Sequence, residues 1–299
     1  MAVKVLILGG SGMLGHKLWQ VFADRFDTYA TLRSGIGPYA QYGLFDPTHT
    51  IDRVSVEDFD SVNRAIDAIK PNVTVNCIGI VKQATEADDP IASISVNALF
   101  PHRLAEICRS ANSRLIHIST DCVFSGSKGN YTEGDMPDAE DLYGRTKLLG
   151  EVSREGCLTI RTSMIGREVE TSQGLIEWFL AQDGGTVHGY KRAVFSGFTT
   201  NALSQIIAWI ITEYPDLYGI YNVASEPINK FVLLSMVKRV YGLNVRIEPD
   251  ETIVCDRSLS AERFRQATGF KPPLWRDMIE QMYGDSTPYS ELRRAYANR

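Results

Sequence analysis

Short apolar runs alternate with helix-like stretches in the first half of the chain. The runs are apolar on both faces, a pattern typical of strands in a sheet that helices cover on each side. The predicted strands are Val3–Leu8, Thr28–Leu32, Val73–Ile78, Arg114–Ser119 and Leu158–Thr162. The predicted helices between them are Met13–Asp24, Phe59–Lys70, Ile91–Asn112 and Tyr143–Glu155.

This alternation predicts an α/β fold with a doubly wound parallel sheet of the Rossmann type, because crossovers between parallel strands carry helices on both faces. The pattern loosens after about residue 165, where further helices are predicted at Leu175–Gln182, Ala202–Glu213 and Phe231–Tyr241. We expect one domain over residues 1–165. Residues 166–299 are expected to form mainly a smaller, interleaved domain, with some segments returning to the sheet of the first.

Composition narrows the possible partners. Apolar residues make up 44% of the 299 positions, enough for a large core, and the formal net charge is −5. This charge gives no general attraction for DNA or RNA, so no nucleic-acid partner is expected. The apolar runs are too short for a membrane span or a signal peptide, and we expect a cytoplasmic protein. Five scattered cysteines and unpatterned histidines predict neither disulfides nor a metal site.

Glycines are concentrated between the first predicted strand and the first predicted helix. Gly9, Gly12 and Gly15 have the spacing GxxGxxG. Glycines without Cβ atoms let backbone N–H groups and the positive helix end face a pyrophosphate closely. Residues 1–165 are therefore expected to bind a dinucleotide, and residues 166–299 mainly a substrate. Other cofactor contacts are expected from the same turn, at Ser11, Met13 and Leu14.

The residue after the second predicted strand bears on the choice between NADP and NAD. An acidic side chain there would bind the ribose hydroxyls of NAD, whereas the sequence TYATLRSG places Arg33 at this point. We therefore favour NADP(H), with NAD(H) as the second possibility; the alternative for Arg33 is a solvated surface charge. Cofactor contacts are also expected at the ends of later strands, from Asn76, Gly79 and Ser119.

Tyr143 and Lys147 lie one helical turn apart in YGRTK. A lysine ammonium beside a phenol lowers the pKa of the phenol, which lets its hydroxyl exchange a proton near neutral pH while hydride moves at carbon. Ser119, Thr120 and Asp121 lie at the end of the predicted strand Arg114–Ser119, at the sheet edge where such folds bind ligands. A hydroxyl there can polarise the carbonyl group that Tyr143 protonates.

Together these motifs resemble the extended short-chain dehydrogenases/reductases, and more narrowly the dTDP-4-dehydrorhamnose reductase-like group. The resemblance extends over nearly the whole chain and is carried by GGSGMLG, VNALFPHRLAE, STDCVFSGSKGNYTEGDMP, YGRTKLLGE and IRTSMIG. It implies an enzyme that uses NAD(P)H to reduce the 4-keto group of a nucleotide-linked 6-deoxysugar, or its 2-acetamido analogue, for surface polysaccharide. The expected partner is this nucleotide sugar, and a homodimer is a further expectation.

The resemblance also implies roles for individual residues. Thr120, Tyr143 and Lys147 would be catalytic, with Asp121 supporting them. Tyr143 and Lys147 would also contact the cofactor, and Asn97 would order the cofactor site through backbone and water contacts. The chain departs from the group at Cys122, where a tyrosine is usual. The change removes a ring near the sugar pocket and leaves the identity of the sugar open; Cys122 and Thr120 are expected to face the substrate.

Arginines in the loops are candidate anchors for the diphosphate of the substrate, because a guanidinium binds phosphate in a fork. Surface solvation is the alternative for each of them. The candidates are Arg161, Arg167, Arg192 and Arg257.

Three other activities or roles compete with the reductase. A dehydratase of this superfamily needs an acidic pair after the threonine, and Cys122 follows Asp121 instead. An epimerase uses the same tyrosine and lysine and stays open, as does a non-catalytic NADP-binding regulatory subunit like the methionine adenosyltransferase β subunit.

Overall fold

The fold is that of a computed structural model, described over residues 2–82 and 88–297. Its main feature is a seven-stranded sheet in which every neighbouring pair is parallel, with the order β11-β6-β5-β4-β1-β2-β3. The strands of the chain are β1 Lys4–Leu8, β2 Asp27–Thr31, β3 Thr50–Ile51, β4 Val73–Asn76, β5 Arg114–Ile118, β6 Cys157–Arg161, β7 Met164–Ile165, β8 Thr186–Tyr190, β9 Ala193–Phe195, β10 Phe198–Thr199, β11 Gly219–Asn222, β12 Ile228–Asn229, β13 Arg246–Asp250 and β14 Cys255–Asp256.

Helices cover both faces of this sheet and form much of the remainder. They are α1 Gly15–Phe22, α2 Gly37–Ala40, α3 Phe59–Ile69, α4 Pro90–Ser93, α5 Phe100–Ser110, α6 Leu142–Leu149, α7 Leu175–Leu180, α8 Thr200–Glu213, α9 Lys230–Tyr241, α10 Glu262–Thr268, α11 Trp275–Tyr283 and α12 Tyr289–Ala297. A π-helical turn, Ile94–Leu99, joins α4 to α5.

The sheet reverses its direction of growth between two central strands. Strands β1 and β4 are paired from Val5 opposite Val73 to Leu8 opposite Asn76. From β1 the chain builds outward through β2 and β3, and from β4 it builds the other way through β5 and β6. Ligands bind in the crevice at the carboxyl ends of strands at such a reversal. The expected α/β Rossmann-type sheet is therefore confirmed.

Both faces of the sheet are buried, as the apolar runs predict. On one face Val5 and Ile7 pack in a cluster with Phe22 of α1, and all three side chains are fully buried. On the other face Leu6 and Leu8 are in a second cluster, with side chains of α3 and α5. Burial of both faces holds the strand ends in place beneath the loops that follow them.

Several elements differ from their predicted bounds. The predicted helix over Tyr143–Glu155 ends at Leu149, and the predicted helix Ile91–Asn112 is interrupted by the π-helical turn. The two-residue strands and helix α12 were not predicted. Two residues are too few to show a period of two, and tertiary pairing creates such strands. Among the described residues, every helix is too short or too polar to cross a membrane.

Candidate active site

The glycine-rich turn lies at the carboxyl end of β1, at the reversal of the sheet. Gly9 has a φ of +82°, which favours glycine. A Cβ atom on Gly15 would lie 2.0 Å from the Gly9 carbonyl oxygen, so only glycine lets α1 begin this close to the strand. Gly12 is exposed at the surface of the turn. A Cβ-free backbone at a helix N-terminus fits a dinucleotide pyrophosphate.

The end of β2 lies beside this turn. The Gly10 N–H donates to the Thr31 carbonyl at 2.8 Å, and Arg33 follows two residues later with an exposed side chain. Its position is the one from which a guanidinium can meet the 2′-phosphate of NADP. Arg33 as a cofactor ligand stays a prediction.

Asn97 shapes the segment after β4. Its side-chain oxygen accepts from the Ile80 N–H at 2.9 Å, and its amide nitrogen donates to the Ile80 carbonyl at 3.0 Å. A Cβ atom on Gly79 would lie 3.3 Å from the same oxygen. Asn97 therefore holds the Gly79 turn from within the π-helical turn, and cofactor contact by either residue stays a prediction.

Asn76 lies deeper than expected. Its side chain is fully buried, accepts from the Ile78 N–H at 3.0 Å and lies 3.1 Å from Nδ1 of His117. The expected contact between the Asn76 side chain and the cofactor is thus corrected: the amide fixes the turn after β4 and contacts His117 within the sheet.

Thr120, Tyr143 and Lys147 come together at the carboxyl end of β5. The Thr120 hydroxyl lies close enough to the Tyr143 phenol to lower its pKa, and the Lys147 ammonium donates to the Ile118 carbonyl at 2.7 Å. A Cβ atom on Gly144 would lie 2.3 Å from the Cys122 carbonyl oxygen. The glycine in YGRTK therefore lets α6 press against the strand end and bring the phenol to the threonine.

Burial dominates the titration of this group. It raises the pKa of Tyr143 above its ordinary value, and the nearby Cys122 adds to the effect. The expected lowering of the pKa of Tyr143 by Lys147 is therefore wrong for this structure. Burial also lowers the pKa of Lys147 to about 8, although Glu151 acts in the opposite direction. Tyr143 is thus held as the neutral phenol, the form that can donate a proton.

Arg161 is part of the support beneath the site rather than an exposed anchor. Its guanidinium donates to both carboxylate oxygens of Glu151, at 2.8 and 2.7 Å, and both side chains are buried. The Ser119 hydroxyl donates to the same carboxylate at 2.8 Å. The expectation that Arg161 binds substrate phosphate is corrected, because its guanidinium is buried and its Nε and Nη2 are both bonded to Glu151. The Ser119 hydroxyl, too, already has Glu151 as its hydrogen-bond acceptor.

The other three candidate arginines differ from one another. Arg167 pairs with buried Glu177 at 2.6 Å and its guanidinium lies over the Tyr289 ring, so its expected substrate role is also corrected. Arg192 is exposed in the turn between β8 and β9, and its role stays a prediction. Arg257 lies at the crevice, where its Nε donates to the Phe124 carbonyl at 2.8 Å.

Lys230 is a site residue that the sequence analysis missed. Its ammonium lies 4.4 Å from the centre of the Phe195 ring and faces Asp121, and burial lowers the pKa of Lys230. Asp121 is buried and faces both Lys230 and Arg257, although burial still raises the pKa of Asp121. No carboxylate in the described part of the chain forms a close ion pair with either cation. The signal in the sequence was slight: a lysine opening a helix, where positive charge is unfavourable.

Cys122 borders the same crevice. Burial raises the pKa of its thiol to about 12, and Asp121 adds to the effect. A thiol with so high a pKa is a poor nucleophile. The expected contact of Cys122 with the substrate stays a prediction.

Comparison with known proteins supplies an independent finding. The family model described as "RmlD substrate binding domain" matches residues 3–178. The chain is 25% identical to the dTDP-4-dehydrorhamnose reductase of Aggregatibacter actinomycetemcomitans, over 93% of this chain and 98% of the relative. It is 29% identical to methionine adenosyltransferase 2 subunit beta of Mus musculus, over 56% of this chain and 48% of that relative. With several such curated relatives, the matched part spans about half their length.

Solved structures resemble this fold over nearly its full length. A dTDP-4-dehydrorhamnose reductase from Bacillus anthracis, determined in complex with NADP, superposes with a TM-score of 0.77 at 19% identity, covering 95% of this chain and 99% of that one. A hypothetical dTDP-4-dehydrorhamnose reductase from Sulfolobus tokodaii superposes with a TM-score of 0.76 at 25% identity, covering 92% and 98%.

Proposed function

The chain belongs to the RmlD substrate-binding-domain family, and on that basis we propose that it reduces the 4-keto group of a nucleotide-linked 6-deoxysugar, with NADPH as the favoured reductant. Relatives named dTDP-4-dehydrorhamnose reductase and dTDP-4-keto-6-deoxy-D-glucose reductase support the substrate class. The proposal includes a cytoplasmic enzyme and a homodimer.

One observation carries this proposal: a threonine hydroxyl, a neutral phenol and a lysine converge at the sheet edge that also bears the glycine-rich turn. Thr120 and Tyr143 face each other there, and Lys147 is fixed behind them by its bond to Ile118. Proton donors that face one crevice beside a dinucleotide cradle suit the reduction of a carbonyl group.

A dinucleotide held by the turn that contains Gly9, Gly12 and Gly15 would supply the hydride for C4 of the sugar. Tyr143 donates its phenolic proton to the carbonyl oxygen, so that the ketone gains one hydride and one proton and becomes an alcohol. The Thr120 hydroxyl hydrogen-bonds the same oxygen and stabilises the negative charge that develops on it. The Thr120 hydroxyl also favours the phenolate that remains on Tyr143 until solvent returns the proton, while the Lys147 ammonium stays bonded to the Ile118 carbonyl.

The substrate diphosphate is assigned to the two cations at the crevice. Arg257 and Lys230 face Asp121 there, and an anionic group would supply the close partner that the described carboxylates do not. Arg161 and Arg167 have buried carboxylate partners and are excluded from this role. Because both cations come from residues 166–299, we propose that this part forms most of the substrate side and that residues 1–165 bind the cofactor.

Replacing Arg33 by Asp should shift the preference from NADPH towards NADH. The guanidinium at the end of β2 is exposed, with the Glu57 carboxylate nearby, and is placed to meet a 2′-phosphate. A carboxylate at the same position would repel the phosphate and accept the ribose hydroxyls of NAD. We expect the ratio of kcat/KM for NADPH to that for NADH to fall by about a hundredfold, as charge-assisted bonds are lost and repulsion is added.

The matched control is Arg25→Asp. Arg25 is also exposed, but it precedes β2 and so lies at the opposite edge of the sheet. The Arg25→Asp substitution changes the net charge by the same amount, but far from the glycine-rich turn and Arg33. Equal cofactor ratios in the Arg33 variant and the unchanged protein would show that Arg33 is only a surface charge.

The decisive test of the proposed function is a panel of nucleotide-linked 4-keto-6-deoxysugars, including 2-acetamido sugars, each offered with NADPH and with NADH. We expect stoichiometric loss of reduced nicotinamide with at least one sugar and none without sugar. An epimerase would interconvert sugar nucleotides without net loss of reduced cofactor. Tight NADPH binding with no turnover of any sugar would favour the regulatory-subunit alternative, which the relatives named methionine adenosyltransferase 2 subunit beta support.

A further inference from the structure

The segment after α11 folds back onto the glycine-rich turn from behind. Three polar side chains of this segment, Asp285, Thr287 and Tyr289, are directed at the first turns of α1, and we call them the C-terminal clasp. Asp285 and Tyr289 are buried, although the segment lies some 270 residues from α1 in the chain. The clasp lies outside residues 3–178, which match the family model.

The first contact is an ion pair in the interior. Lys17 of α1 is 2% exposed and pairs with Asp285. Its ammonium also donates to the Thr287 hydroxyl at 3.3 Å, and Gln20 donates to the same hydroxyl at 2.9 Å. If the clasp separated from α1, Lys17 would lose its charge partner. Removing one partner from a buried pair is strongly unfavourable, so α1 and the clasp are expected to stay together.

The second contact reaches the glycine-rich turn itself. His16 is fully buried, and burial lowers its pKa to about 3, so the ring is neutral. Its Nδ1 donates to the Gly12 carbonyl at 2.9 Å, and its Nε2 lies 3.2 Å from the Tyr289 hydroxyl, which donates to Asp285 at 2.7 Å. The one phenolic proton goes to Asp285, so Tyr289 and His16 are in close polar contact rather than hydrogen-bonded, and contacts run from Asp285 through both side chains to the central glycine of the turn.

Helix α12, which begins at Tyr289 of the clasp, contacts the segment after β2 on the side of the expected cofactor site where Arg33 lies. It packs against α2, the short helix that follows Arg33 and Ser34. Arg293 of α12 donates to the Glu168 carbonyl at 2.8 Å. The Glu168 side chain accepts from the Gly174 N–H at 3.1 Å, and a Cβ atom on Gly174 would lie 3.0 Å from Cε of Met13 in the glycine-rich turn. The end of the chain thus borders both segments assigned to the dinucleotide.

We propose that the C-terminal clasp holds the glycine-rich turn in its cofactor-binding shape, so that docking of the clasp and binding of the dinucleotide favour each other. Tyr289 is then a positioning residue, which acts on the cofactor through His16 and Gly12. This inference rests on the proposed function only in that a dinucleotide binds at the turn. Coupling of this kind is reciprocal: a change in the clasp weakens binding, and binding steadies the clasp.

The first experiment removes one hydroxyl. Tyr289→Phe should raise the Kd for NADPH about fivefold, since Asp285, the partner of Lys17 behind the turn, loses the hydroxyl that donates to it and His16 loses its polar neighbour. It should raise KM for NADPH more than it lowers kcat, whereas loss of folded protein would lower the apparent kcat alone. The matched control is Tyr283→Phe, which removes the hydroxyl of a 56% exposed tyrosine six residues earlier, and its Kd should equal that of the unchanged protein.

The second experiment needs no variant and so does not depend on whether Tyr289→Phe folds. Hydrogen exchange of peptides covering residues 285–297 is followed in the unchanged protein with and without NADPH, with peptides from α9 as the internal reference. We expect NADPH to slow exchange in residues 285–297 several-fold and to leave α9 unchanged.

The outcomes separate this inference from the proposed function. NADPH binding with unchanged exchange in residues 285–297, or with an unchanged Kd in folded Tyr289→Phe, overturns the clasp and leaves the reductase standing. A clasp that responds to NADPH in a protein that reduces no keto sugar supports the clasp and overturns the reductase. Failure of the unchanged protein to bind either dinucleotide overturns both.

Discussion

Tyr143→Phe should lower kcat for reduction of the keto sugar by about a thousandfold, the usual contribution of a positioned general acid. The variant keeps the ring that α6 brings to the end of β5 but removes the proton that completes the alcohol. Thr120 remains to polarise the carbonyl, so a residual rate is expected. Single-turnover measurement of nicotinamide oxidation at saturating sugar nucleotide isolates this step from product release.

The same variant should leave the Kd for NADPH within about twofold of its original value, because the glycine-rich turn that binds the pyrophosphate is unchanged. Tyr218→Phe is the matched control, since Tyr218 is 53% exposed and precedes β11, away from α6. If Tyr143→Phe retained full turnover, another group would have to be the acid, and the assignment of Tyr143 would fail.

Arg161→Met should lower the free energy of unfolding by about 3–5 kcal/mol, because it leaves a buried carboxylate without its counter-charge. The side chains of Arg161 and Glu151 are 5% and 3% exposed, and Glu151 also accepts from Ser119. Urea unfolding measures the loss. The KM for sugar nucleotide should change little in whatever folded protein remains, since Arg161 is not at the surface of the crevice.

A double variant makes this prediction specific. Glu151→Gln combined with Arg161→Met removes both charges and keeps an oxygen that can accept from Ser119, so it should regain most of the lost stability. The opposite pattern, unchanged stability with a large rise in KM for the sugar nucleotide, would restore Arg161 as a substrate anchor.

The sheet and the position of the site followed from local patterns in the sequence. Strands buried on both faces have few polar residues, so Val3–Leu8 and Val73–Ile78 were recognisable without knowledge of their partners. The glycine-rich turn and the spacing of Tyr143 and Lys147 were equally readable, because each lies within one local element. Because the carboxyl ends of parallel strands lie at one edge of the sheet, the glycine-rich turn and the residues after the other strands are predicted to lie close together.

The role of each arginine was not readable, because it depends on a partner that the fold supplies. Arg161 ends β6 and Arg257 follows β14, yet Arg161 pairs with buried Glu151, two residues after α6, whereas Arg257 faces Asp121 at the crevice. The prediction that the pKa of Tyr143 is lowered was wrong for a related reason. The spacing to Lys147 suggested charge stabilisation, but the depth at which the phenol lies outweighs it.

The carboxyl-terminal segment shows a third kind of limit. Residues 285–297 carry little periodic apolar signal, and Lys17 looked like an ordinary charged residue of a surface helix. Their burial arises from contacts across almost the whole chain. A pairing between residues so far apart is invisible to any pattern within a window of a dozen positions.

The late arrival of β11 in the large sheet has a consequence for how the polypeptide matures during synthesis. Gly219–Asn222 lies beside β6, but some sixty residues that build β7 to β10 and α8 intervene. Until these residues and β11 have left the ribosome, the outer edge of β6 has unpaired amide and carbonyl groups, which can pair with a strand of a neighbouring nascent chain. Strand β11 therefore covers the exposed edge of β6, and a product truncated before β11 would be prone to aggregation.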